Sequence, residues 1–136
     1  MNKCVFVIDA ELPLGLIANT AAVLALSLGQ RHPELVGADL PDGGGDLHAG
    51  LTTLVMPVLK GSAGTLGGIR RKVQAMPGAG LLLIDVTDAA QQTKTYDDYA
   101  QRLGETGSGD LRYLGLCIYG PADTVKSVTG NLPLLR

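Results

Sequence analysis

Four groups of residues have the types and spacing for chemistry. The first surrounds Asp85, which ends the apolar run LLLID and is followed by Thr87 and Asp88. Ligands of open α/β sheets gather outside the carboxyl ends of strands, where a carboxylate can be desolvated and its acidity perturbed, as a catalytic group requires. The plainer alternative is an aspartate that caps the following turn. Asn19 and Thr20, near the start of an apolar helix, are the polar groups most able to face the same rim. Their alternative is a satisfied polar pair between helix and sheet, since a buried amide needs partners in either case.

The second group is the loop Asp39, Asp42, Asp46 and His48, which places three carboxylates and an imidazole within ten residues. Such a set could hold a divalent cation or supply a general base, with His48 as the catalytic partner of Asp85. The spacing fits no calcium loop, and no metal site is assigned. Aspartate and glycine also build ordinary solvated turns. The third group is basic: Lys60, Arg70, Arg71 and Lys72 fall within thirteen residues that contain no acid. They could meet the phosphates of RNA, although no aromatic platforms lie nearby. The alternative is a solvated helix face, with Arg70, Arg71 and Gln74 turned to water. The fourth group is Cys4 and Cys117, each inside an apolar run and neither in a metal-type pair, so they read as small buried hydrophobes in a reducing cytoplasm.

Several chemistries lack a signature. GSAGTLGGIRRK has no Gly-Lys-Ser/Thr ending, no GxGxxG follows the first strand, and there is no G-x-S-x-G or H-E-x-x-H. No cofactor is expected. The net charge of −2 supplies no bulk positive field for nucleic acid or an anionic membrane. Leu12 to Gln30 contains no charge and is roughly long enough to reach across a bilayer. Pro13, Gly15, Asn19, Thr20, Ser27 and Gln30 dilute it, however, and it follows acids rather than a basic segment. A helix buried in a soluble core explains it better, and no membrane is expected.

The elements that must position these residues follow from pattern. The chain's 136 residues suit one domain, 1–136, at ~100–200 residues per domain. Apolar residues make up 46% and charged residues 18%, so the chain folds. Lys3–Asp9 reads as a buried strand. Pro13 opens a helix that runs to about Ser27 or Leu28 and stops at Gly29. The stretch 32–50 is a large surface loop, and Leu51–Lys60 is a second strand that Pro57 confines to an edge or a bulge. Ser62 or Thr65 caps a helix with Leu66, Ile69, Val73 and Met76 inward. Residues 80–86 form a buried strand. Thr95 and Asp98 start a helix with Tyr96, Tyr99, Ala100 and Leu103 on one side. Arg112–Tyr119 is the last strand, followed by a helix around Asp123–Thr129. Alternation of this kind gives a three-layer α/β/α domain with most strands parallel and helices on both faces.

Taken together, VFVIDAELPLGLIANTAAVLALSLG, HPELVG, MPVLKGS, LLLIDVTDAAQQTKTYDDY and YLGLCIYG resemble the family called domain of unknown function 2000, nearly from end to end. That family has no established activity. Its fold is similar to that of type II peptidyl-tRNA hydrolase, which implies a four-stranded mixed sheet between helices with the first and last strands adjacent. The same likeness implies a homodimer and brings Cys4 and Cys117 closer together. In the hydrolase a Gly-Lys pair opens the first helix, with Gln and His further along; here Leu16 follows Gly15, and Thr20 and Val23 stand at the later places. Asp85 alone matches. The function that follows is a small ligand bound at the Asn19, His48 and Asp85 rim. The alternatives are hydrolysis of a peptidyl-tRNA-like ester with RNA on the basic cluster, or a structural role through a dimer face.

Overall fold

A computed structural model describes residues 1–136. VFVID carries β-branched and aromatic residues without a break, which suits a strand covered on both faces. It forms the centre of β1 (Asn2–Asp9), buried from Cys4 to Asp9. Helix α1 (Leu14–Arg31) follows, then a short hairpin of β2 (Leu40–Pro41) and β3 (Leu47–His48). The core then continues through β4 (Val58–Gly61), α2 (Ala63–Gln74), β5 (Leu82–Thr87), the single turn α3 (Asp88–Gln91), α4 (Tyr96–Glu105), β6 (Tyr113–Pro121) and α5 (Ala122–Thr129).

The main sheet has the order β4-β1-β6-β5. β1 and β4 are parallel, and β6 runs antiparallel to both of its neighbours. The sheet is therefore mixed, and its first and last strands are adjacent. Three strands share one direction, but only one of the three ladders is parallel, so the expectation of mostly parallel strands holds for direction and not for pairing. The cause is the last crossover: β6 enters between β1 and β5 from the opposite end, returning from α4 by way of a short 3-10 turn at Ser108–Asp110.

Strand alternation sends one set of side chains to each face. On one face Cys4, Phe6, Val86, Cys117 and Tyr119 pack under Leu24 and Leu28 of α1. On the other, Val5, Val7, Leu116 and Ile118 meet Leu66 and Ile69 of α2 and Val125 and Val128 of α5. At Leu114 the chain gains one residue against β5, because Val86 pairs with Gly115 and Thr87 with Tyr113. Such a bulge bends the strand locally and is common beside functional sites.

Several boundaries differ from the sequence reading. Helix α1 does not stop at Gly29, which has no positive φ, but continues to Arg31. Pro33 is the real stop, since its ring drives His32 out of the helical region. Residues 51–57 lie outside the strand. Thr53 instead hydrogen-bonds Leu35 through its N–H, at 2.8 Å, and its hydroxyl, at 3.1 Å, and Thr52 closes a local turn on Leu54. β4 is an edge strand as Pro57 requires, and that proline's carbonyl accepts from Phe6. Ser62 caps α2 and Thr95 caps α4, each through its side-chain oxygen.

Candidate functional site

Asp85 sits where the run LLLID places it, near the carboxyl end of β5, and the sheet's far side supplies its partner. Arg70 of α2 donates from Nε to Asp85 Oδ2 at 3.3 Å, with its guanidinium 5.4 Å from the centre of the Tyr113 ring. Arg70 therefore does not face water with the rest of its helix. Lys60, Arg71 and Lys72 do remain exposed. Only one of the four basic residues reaches Asp85, because adjacent helical positions are about 100° apart and only position 70 points along the sheet toward β5.

A cavity of about 300 Å³ opens beside Asp85. Its floor is Asp85 and Val86, one wall is Val23 of α1, and the other is Tyr96 and Tyr99 of α4, with Thr93, Lys94 and Thr95 closing the end. The two tyrosine rings meet edge to face, 5.6 Å apart. Tyr96 stands well out into solvent, and α4 has no fully buried residue, so it forms a wall and not part of the core. Burial, and after it the negative charge of Asp85 and then Tyr96, raises the Tyr99 phenol above its ordinary value. The Asp85 carboxylate is thus felt inside the cavity.

The remaining rim residues have other roles. Asn19 is exposed and does not line this cavity, whereas its neighbour Thr20 is fully buried. The two cannot act as a pair, since the helical rotation between them turns one to water when the other meets the sheet. Thr20 instead lies over Gly115, where an added Cβ would come within 2.5 Å of its methyl. Its hydroxyl and that of Thr87 are buried without a hydrogen-bond partner. Asp88 exchanges two hydrogen bonds with Arg112: its N–H donates to the Arg112 carbonyl at 2.9 Å, and its carboxylate accepts from the Arg112 N–H at 3.2 Å. That is the turn-pinning role.

His48 is separate from all of these. It lies on the exposed β2–β3 hairpin, where Nε2 is 2.9 Å from Asp42 Oδ2. The imidazole, followed by the backbone N–H groups of Gly44 and Asp46, holds the Asp42 carboxyl below its ordinary value. These are local turn contacts, and no three His, Cys, Asp or Glu side chains in the chain converge as a metal site.

Asp9 and Arg112 went unmarked in the sequence. Asp9 is 1% exposed at the carboxyl end of β1; it accepts from the Glu11 N–H at 3.0 Å and from Arg112 Nη2 at 3.2 Å. The signal existed, since Asp9 obeys the same rule as Asp85, an acid closing an apolar strand. The two carboxylates thus mark the ends of two strands that point the same way, each held by an arginine.

Residues 2–136 match the family described as a protein of unknown function, DUF2000. The chain belongs to that family. Among solved structures, a protein of unknown function from Agrobacterium tumefaciens strain C58 is similar in fold, with a TM-score of 0.88 at 15% identity over 98% of this chain and 96% of that one. No curated protein matches. The family and its structural relative thus establish the architecture of this DUF2000 chain and leave its chemistry to the site itself. No helix of the chain is long and apolar enough to cross a membrane.

Proposed function

We propose that this DUF2000 protein is a binding module that takes a small ligand with a cationic or hydrogen-bond-donating head in the cavity beside Asp85. The observation that carries this reading is the convergence on one 300 Å³ space of a carboxylate and two aromatic rings, on a wall-and-floor arrangement from three elements. That volume lies at the lower end of the range for small-ligand sites, roughly 300–1,000 Å³. Arg70 takes one carboxylate oxygen of Asp85 and leaves the other without a hydrogen bond. A carboxylate beside tyrosine faces is a recognised way to hold an organic cation. His48 and Asn19 have no part in this version of the rim.

The test is calorimetric titration with a small aromatic amine such as phenethylamine, beside phenylacetate of matched shape. Amine binding that Asp85→Asn abolishes supports the reading. Equal binding of amine and acid, or none of either, overturns it. The ester-hydrolase alternative, with RNA on Lys60, Arg71 and Lys72, has less support, because none of these three residues lines the cavity beside Asp85. It predicts peptidyl-tRNA turnover that is lost in Asp85→Ala.

A second reading concerns association. Leu14 is 82% and Leu26 77% exposed, and with Ala18 and Ala22 they form an uncharged stripe at four-residue spacing on the outer face of α1. A two-fold contact between antiparallel copies centred on this stripe would set Leu14 against Leu26 and Ala18 against Ala22. Light scattering should show a homodimer that Leu26→Asp converts to monomer; a wild-type monomer at high concentration would sink this reading. The two buried free thiols suit a reducing cytoplasm, where we place the protein.

A further inference from the structure

The two outer strands of the sheet end differently. Beyond β4 the chain's own carboxyl-terminal segment pairs with the edge: the Lys60 N–H donates to the Pro133 carbonyl at 2.8 Å, and the Leu135 N–H to the Val58 carbonyl at 2.9 Å. At the other edge, β5 pairs with β6 alone. In an antiparallel strand every second residue turns its N–H and C=O away from the neighbour. No turn, loop or side-chain hydrogen bond involves the main chain of Leu82–Val86, while the Thr87 carbonyl opens α3. This edge is apolar, six residues long and half-buried over Leu82, Leu83 and Ile84. Open edges of this kind are usually blunted, because they recruit other strands.

The Asp85 cavity lies on this edge. Asp85 and Val86 are consecutive, so their side chains leave the sheet on opposite faces. Val86 packs under α1, while Asp85 reaches Arg70 of α2 on the other side. A cavity lined by both residues therefore lies at the rim of the sheet beside β5, and Val23, Tyr96 and Tyr99 line it with them.

Resting on the binding-module reading, we infer that the ligand is a short extended peptide that adds to the free edge of β5 and places a basic side chain against Asp85. Main-chain pairing with the edge would supply affinity, and alternate side chains would enter the pockets on the two faces. Charge selects the occupant. Positions 85 to 110 carry Asp85, Asp88, Asp97, Asp98, Glu105 and Asp110 against Lys94 and Arg102, and with Arg70 paired to Asp85 the balance is still acidic. A second copy docking through β5 would bring this acidic flank against itself, whereas a basic peptide complements it.

The test uses the whole protein and blocked hexapeptides of alternating apolar and variable residues, with Lys, Ser or Glu at the centre. Each peptide is compared with a form N-methylated at every second residue. Binding is followed by calorimetry and by hydrogen exchange of the β5 amides. The inference expects the Lys peptide to bind best and N-methylation to weaken it by roughly 30- to 150-fold, the size of two or three lost backbone hydrogen bonds. It also expects the outward β5 amides, fast to exchange in the free protein, to slow on binding while the inward ones stay protected throughout. If phenethylamine binds through Asp85 but the peptides do not bind, or bind without sensitivity to N-methylation, the inference falls and the binding-module reading stands. If neither class binds, both fall. Size increase of the free protein that Leu83→Lys on β5 reverses would assign the edge to a second copy and overturn the inference.

Discussion

Arg70 crosses the end of the sheet to Asp85, donating from Nε at 3.3 Å while its guanidinium rests 5.4 Å from the Tyr113 ring. One side chain thus fixes the carboxylate of the cavity and covers the aromatic residue that opens β6. The two side chains are 21% and 26% exposed, so the pair is neither fully screened nor fully desolvated. A pair of this kind contributes about 1 kcal/mol, and the ring contact roughly another 0.5–1 kcal/mol. Arg70→Ala is expected to lower stability by about 1–2 kcal/mol in urea denaturation. Arg70→Lys should recover part of this, since it keeps the charge and loses the planar contact. An unchanged midpoint in Arg70→Ala would show that Asp85 does not depend on it.

Gly115 is the second constraint. It pairs with Ile8 on one side and Val86 on the other, and an added Cβ would lie 2.5 Å from the Thr20 methyl and 3.2 Å from Leu24 Cδ1. Thr20 is β-branched and helical, so its side chain has little freedom to move aside. Gly115→Ala is expected to cost roughly 1–3 kcal/mol, the usual size of overpacking. Thr20→Ser removes the methyl in the way. The double variant Thr20→Ser with Gly115→Ala should therefore lose less than the two single losses added together, which denaturation of all four chains will show. Simple additivity would mean that Thr20 is not what excludes a side chain at 115.

These two contacts also show how far the sequence could be read. The strands VFVID and LLLID and the helix containing Leu66, Ile69 and Val73 were legible because their patterns are long, and the starts of α2 and α4 because their caps, Ser62 and Thr95, are local chemistry. Asp85 was legible for the same reason, as an acid closing a strand. Its partner was not: Arg70 shares a helix with Arg71 and Lys72, and nothing local distinguishes the one that turns inward. The β5 edge was equally hidden, because whether a strand is an edge depends on where β6 inserts, and that is a long-range choice. Asn19 reads as a rim residue from its place near the start of the first helix, and His48 from its imidazole beside three acids, but the hairpin carries His48 away and helical rotation turns Asn19 outward.

Tyr99 reports on the cavity. Its phenol is raised first by burial, and next by the charge of Asp85. A spectrophotometric titration should place it above ordinary tyrosine. Asp85→Asn should lower it without restoring the ordinary value, because the larger cause remains. The sign for stability follows: the folded chain keeps this proton more tightly than the unfolded chain, so stability falls as pH rises through and above the ordinary tyrosine range. A Tyr99 indifferent to Asp85→Asn would remove Asp85 from the cavity.

Asp42 runs the other way. His48 and two backbone N–H groups hold its carboxyl low, so the bridged hairpin is favoured above the ordinary carboxylate range and loses this support as pH falls through the lowered value. Carbon-detected NMR of the Asp42 carboxyl should follow that lowered titration. His48→Ala should raise it, and the backbone N–H groups should keep it short of the ordinary value. Full return to the ordinary value would mean that the turn itself depends on His48.

Cys4 and Cys117 lie on neighbouring strands with their sulfurs 3.7 Å apart, both completely buried. A disulfide needs about 2.05 Å between sulfurs, so the two thiols are close neighbours but not bonded. The Cys4 sulfur beside it, together with burial, pushes the Cys117 thiol up, which leaves it protonated and a poor nucleophile at neutral pH. The pair should therefore behave as core packing. An aromatic disulfide reagent is expected to label neither thiol in the native protein over the time in which it labels both in denaturant. Under mild oxidant the native chain should keep both thiols, since access and not distance is the barrier. Rapid native labelling of either sulfur, or spontaneous oxidation in air, would show that α1 opens readily from the sheet. The Val23 wall of the Asp85 cavity would then be a moving one.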